Sequence, residues 1–113
     1  MKEKILEKNA KEYYGDGKDS LRKGSYNSAV VLFFKSLVSF VDLYILQNLG
    51  YMPSSHIARF SITKNHFSKI YNLLDKDFPF YQDSYIKSMN KELAEVIKED
   101  AEFMAKEAKV KLQ

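Results

Sequence analysis

A chain of 113 residues, 45% hydrophobic and 29% charged, has room for one core and so for one domain spanning 1–113. It has no cysteine, which excludes disulfides, thiolate zinc sites and cysteine nucleophiles. A net charge of +3 is a weak field beside that of a dedicated nucleic-acid binder, while eight Tyr and eight Phe without Trp point to a core built on large rings.

The first predicted helix runs from Glu3 to about Lys23. Leu6, Ala10, Tyr13, Tyr14, Gly17 and Leu21 recur at steps of three and four and make one apolar stripe. Gly15 and Gly17 weaken it by about 1 kcal/mol each relative to Ala, and mark a kink or a close helix crossing. Gly24 suits a helix C-terminus, and Ser25 suits the N-cap of a second helix that reaches about Leu49. Between Ala29 and Leu46 this helix carries only Lys35 and Asp42 as charges. A spanning helix needs about 20 mostly apolar residues, and a charge at its centre is costly. Lys35 and Asp42 share a stripe with Ser28 and Ser39. The segment therefore reads as a central bundle helix with one polar stripe, and no membrane association is expected.

Gly50 stops the second helix, and Met52-Pro53 forces an extended connection. Ser54 or Ser55 can cap a third helix that begins near His56, with Phe60, Phe67, Ile70, Tyr71 and Leu74 on one face and Ser61, Lys64, Asn65, Ser68 and Asn72 on the other. Asp77-Phe78-Pro79 breaks this pattern. The acids at 75–79 read as a loop that faces water, and Phe80 to Lys87 reads as a short helix or turn. Ser88 or Asn90 starts the last helix, in which Leu93, Val96, Ile97, Ala101, Met104 and Ala108 keep an amphipathic spacing. No strand pattern, repeat or linker interrupts the series. The expected fold is all-α, an up-and-down bundle of four main helices plus one short helix. The N-terminal stretch is charged throughout and carries no export signal, so a cytoplasmic location is expected.

Positive charge concentrates in one segment. Residues 51–76 hold four basic groups against one acidic, whereas residues 77–113 hold six against eight. In the basic segment His56, Arg59, Thr63 and His66 fall within an arc of about 80° on an unbroken helix. Two imidazoles beside a guanidinium can bind a phosphate. His can move a proton near neutral pH and Arg can hold developing negative charge, so together they could cleave RNA through its 2′-hydroxyl without a metal. The structural alternative is that His56 braces the turn and Arg59 pairs with an acid such as Asp42 or Glu95. Two His with no Cys, and no acid three or four residues from either, make no ligand set, so neither metal nor cofactor is expected. GDGK at 15–18 lacks the strand–loop–helix setting of a phosphate loop.

The run KGSYNSAVVLFFKSL, the element LGYMPSSHIARF and the trailing FPFYQDSY resemble the small stand-alone HEPN-domain proteins of archaea and bacteria. The resemblance covers roughly Lys11 to Lys109. It implies a compact helical bundle that commonly forms a homodimer. It also implies a toxin–antitoxin setting with a nucleotidyltransferase as partner protein, or else a metal-independent ribonuclease or a binder of RNA or nucleotides. The ribonuclease motif of the family, an Arg and a His separated by four to six residues, matches Arg59 to His66. Arg59 would steady the scissile phosphate, His66 would be the acid and base, and His56, Thr63 and Lys64 would line the binding cleft. The chain departs from the family at Phe60, where active members usually have a polar residue, and in placing the motif just past mid-chain. A non-catalytic helical interaction module is the alternative.

Overall fold

The computed structural model describes residues 1–112. Five helices follow one another: α1 Lys2–Arg22, α2 Tyr26–Leu49, α3 His56–His66, α4 Ser68–Asp83 and α5 Lys91–Glu107. No strand occurs among the described residues. The expected all-α fold of four main helices and a short one is present, and the short helix is α3, of 11 residues.

The centre of the bundle is α2. Phe33, Phe34, Leu37, Phe40, Val41, Leu43 and Ile45 are all buried along it, and α1 and α5 cover it. The α1–α2 hairpin turns at Gly24, whose φ of 79° lies in the left-handed region. Gly24 N–H donates to the Leu21 carbonyl and Ser25 N–H to the Ser20 carbonyl, the paired bonds of a Schellman stop. The two helices then approach closely at Gly17, where a Cβ atom would stand 2.7 Å from the Phe33 ring. Gly17 is thus the helix crossing, while Gly15 meets nothing within 4 Å. Buried Ser36 adds a bond from its hydroxyl to the Ala10 carbonyl at 2.8 Å. α2 is the one described helix long and apolar enough to cross a membrane, and in this bundle its apolar side chains are the core.

The helix break lies earlier than the sequence pattern indicates. Phe67, at φ −140° and ψ 71°, ends α3 and opens α4. Pro79 then sits inside α4 and does not end it. Its missing N–H leaves the Asp75 carbonyl unpaired within the helix, and Asp75 is exposed. Beyond it Tyr81 stacks on Phe34 with centroids 4.7 Å apart, packing that holds the helix together past the proline. Phe80 to Asp83 is therefore the last part of α4, and of the short helix or turn expected over 80–87 the structure has the turn, at 84–86. Asn27 fixes the connection that follows. Its amide donates to the carbonyls of Ser84 and Lys87, both at 2.8 Å, and its oxygen accepts from Met89 N–H at 2.9 Å. Asn90 caps α5 through Leu93 N–H at 2.9 Å.

The expected water-facing loop at 75–79 is also overturned, because Asp77 is wholly buried in α4 and neither of its oxygens has a hydrogen-bond partner. Lys76 Nζ lies 3.6 Å from Asp77 Oδ1 and 2.9 Å from Asp100 Oδ2. Burial, reinforced by the neighbouring Asp100 carboxylate, pushes Asp77 from 3.8 up to about 8. A protonated Asp77 can donate to Asp100, whereas an ionised one is repelled by that carboxylate and has only Lys76 at 3.6 Å to offset it.

Two outcomes are expected. Gly17→Ala should lower stability by about 1–3 kcal/mol through overpacking against Phe33, and Gly15→Ala should raise it by up to about 1 kcal/mol through helix propensity. Thermal melts of the pair check this, and equal midpoints would remove the crossing argument. For Asp77 the folded state keeps its proton to a higher pH than the unfolded chain does. Its contribution is therefore complete below the unfolded value near 3.8 and is lost as pH rises through about 8. Asp77→Asn should consequently gain stability over the parent protein as urea midpoints are followed across that window. A constant difference would mean that Asp77 is ionised throughout.

A candidate anion pocket beside a buried ion pair

Asp42 carries the only acid in the long apolar run of α2, and it is buried at 7% exposure. Arg59 on α3 is buried at 8% and meets it edge to edge. Arg59 Nε donates to Asp42 Oδ1 at 2.7 Å and Nη2 donates to Oδ2 at 2.9 Å, a bidentate pair. α3 begins where it does because Ser55 caps it, its side chain accepting from Ala58 N–H at 3.0 Å. One turn inside that cap the helix places Arg59 against α2.

The third guanidinium nitrogen sets the state of His56. Arg59 Nη1 donates to His56 Nδ1 at 2.9 Å. A guanidinium has no acceptor, so Nδ1 is bare and the imidazole proton is on Nε2. Burial and the Arg59 charge hold His56 below the ordinary imidazole value, with Asp42 partly opposing them. The ring lies 5.4 Å from the Phe78 ring. His56 therefore meets Arg59 and Phe78 and lines the site.

Above the pair is a cavity of about 210 Å³, bordered by α1, α2, α3 and α4. Lys35 and Ser39 of α2, Tyr13 of α1 and Tyr81 of α4 line it together with His56 and Arg59. Lys35 is exposed, and its ammonium lies 6.0 Å from the Tyr13 ring. The Tyr81 hydroxyl is 3.1 Å from that of Tyr85, and this contact together with burial raises Tyr81 above the ordinary tyrosine value. The walls thus offer one cation and several neutral donors next to aromatic surface. This is a chemistry suited to a phosphate or another oxyanion.

The structure gathers only part of the set singled out in the sequence. His56 and Arg59 are joined. Thr63 is fully buried, and its hydroxyl donates within α3 to the Arg59 carbonyl at 2.9 Å, with the Phe60 carbonyl at 3.2 Å. Lys64 is exposed with its ammonium 5.9 Å from the Tyr71 ring, and it does not line the cavity. His66 is exposed at the C-terminal end of α3, its ring 6.1 Å from that of Phe67, and it too is outside the cavity. Tyr13, Lys35, Ser39 and Tyr81 were not singled out as site residues. Lys35, Ser39 and Asp42 do follow one another at steps of four and three, and that polar stripe on an apolar helix was the available signal.

A larger groove of about 480 Å³ runs past Tyr14, Glu102 and Leu112. Its carboxylate is already engaged, because Glu102 accepts from the Tyr14 hydroxyl and from Lys98 at 3.0 Å. No group of three His, Cys, Asp or Glu among the described residues could hold a metal ion.

Arg59→Ala should cost about 3–5 kcal/mol, since it leaves a buried carboxylate without its partner. The double variant Asp42→Leu with Arg59→Met should recover most of that loss, because two apolar groups replace two desolvated charges. Urea unfolding of the three proteins checks this, and a cost below about 1 kcal/mol for Arg59→Ala would reduce the pair to the value of a surface bridge.

Compared with known proteins, the chain matches no family model, no curated protein and no solved structure.

Proposed function

We propose that this chain is a HEPN-like helical domain that associates with nucleotides or nucleic acid, and that it binds them at the pocket beside Arg59 without cutting them. One observation carries the reading. Lys35, Ser39, Tyr13, Tyr81 and His56, the last carrying its proton on Nε2, line a single cavity together with Phe34 and Arg59.

Binding is favoured over cleavage by what Arg59 is doing. Three of its nitrogens are committed to Asp42 and His56, so the guanidinium serves as a fixed strut of the pocket. A general acid or base must come within about 3 Å of the proton it moves. His66 is two turns from Arg59, about 10 Å along the helix axis, and does not border the cavity. A second reading, a non-catalytic interaction module, draws on the exposure of Ile57 at 84% and Ile86 at 80%. Its partner would be a second copy or a nucleotidyltransferase.

The test is fluorescence anisotropy with a labelled single-stranded RNA, run beside a cleavage assay in chelator. Binding should weaken as salt rises and fall about tenfold in Lys35→Gln, and the RNA should stay intact. Metal-independent cleavage that disappears in His66→Ala would restore the ribonuclease reading. A protein inert to RNA that still forms a complex with a nucleotidyltransferase would favour the interaction module.

A further inference from the structure

Resting on that binding role, we infer that the pocket receives a phosphate monoester on a nucleoside, and that the exposed Tyr85 ring beside it stacks the attached base. The ligand is then the phosphorylated end of a single strand or a free mononucleotide, and not the interior of a strand.

Size is the first argument. A cavity of about 210 Å³ is below the range of about 300–1,000 Å³ in which whole small molecules are usually held. It has space for a phosphate group while the nucleoside stays outside. A phosphate inside a strand has two arms that must both leave the cavity, whereas a monoester has one. Tyr13 of α1, Phe34 of α2 and Tyr81 of α4 line the cavity and give an entering phosphate an aromatic border.

The donor set is the second argument. A monoester presents three terminal oxygens and a charge of roughly −1.5 to −2 at neutral pH, against two oxygens and a single charge for a diester. Lys35 supplies the mobile cation. Ser39 and Tyr13 supply hydroxyls, and His56 supplies Nε2–H, because its Nδ1 is occupied by Arg59. Tyr81 becomes a further donor when Tyr85 donates to it across their 3.1 Å contact. Asp42 repels no ligand here, since both of its oxygens are held by Arg59.

The base platform is the third argument. The Tyr85 ring stands 5.7 Å from that of Tyr81, edge to face, and is 71% exposed. It does not border the cavity itself, so it lies outside, where a nucleoside attached to an inserted phosphate would emerge. Stacking on a tyrosine tolerates any base.

The experiment uses the full chain and short RNA oligomers of one sequence, labelled at one end and bearing a phosphate or a hydroxyl at the other, in both 5′ and 3′ versions. A phosphate at one of the two ends should tighten binding about tenfold, a gain of one strong charge-assisted contact set. Lys35→Gln should erase that preference. Tyr85→Ala should weaken every oligomer about tenfold, in line with loss of one stacked base, and leave the preference intact. Unlabelled adenosine monophosphate then separates the two sources. Competition at concentrations near those of the phosphorylated oligomer identifies a mononucleotide site, and failure to compete identifies a strand end, both supporting the monoester. Equal affinity for phosphate and hydroxyl ends, with binding still lost in Lys35→Gln, would overturn the inference and leave the nucleic-acid role standing. No binding of any oligomer or of the mononucleotide would overturn both.

Discussion

The bidentate contact between Asp42 and Arg59 is the constraint on which the arrangement of this molecule turns. Arg59 and Thr63 are the only buried residues of α3, and both are polar. An isolated helix of 11 residues is marginal in water, and this one has no fully buried apolar side chain to seat it. Phe60 and Ile62 give it partial cover, but direction comes from the ion pair. A guanidinium that must meet both oxygens of a carboxylate fixes rotation, tilt and height together. Removing two charges from water is costly, and the bond geometry together with the contact to His56 offsets that cost. The same nitrogen that touches His56 then decides which face of the imidazole is left for a ligand.

A layer of rings carries this order outward. Phe60, Phe78 and His56 pack around one another, and Phe78 and Phe34 flank Tyr81. Because α4 continues past Pro79, Tyr81 remains in phase with Phe78 and reaches the wall of the cavity. A helix stopped at the proline would have carried Tyr81 off on a loop. The cavity is thus built by continuity of α4 as much as by the charges below it.

Much of this was legible in the residues. The steps of three and four in α1 and α5, the Gly24 stop and the caps at Ser55 and Asn90 are local signals, and local bonds satisfy them. Pairing of Arg59 with an acid such as Asp42 or Glu95 is legible from charge, and the structure selects Asp42. The break at Phe67 was not legible, because a Phe carries no breaking signal and the choice belongs to how α3 and α4 pack. Pro79 misled for the converse reason, since its local penalty is outweighed by the rings on either side. Asp77 reads as solvated in the sequence because loops with a few acids usually face water. Its burial depends on Lys76 and Asp100, and the second of these is 23 positions away in the chain. The cavity drew on four helices, so only its α2 stripe and its α3 residues could be seen beforehand.

Asn27 ties the head of the central helix to the connection before α5. Its three bonds reach across 57, 60 and 62 positions of chain, while the hairpin just before it closes through neighbours. The entropy lost in closing so long a segment must be met before those bonds return anything. The α1–α2 hairpin closes over few residues, whereas the loop before α5 takes its place only where the side chain at the head of α2 receives it. One amide at the start of the central helix thus fastens the connection before α5, as Gln47 near its end fastens the chain after α5 through the Ala108 carbonyl at 2.9 Å.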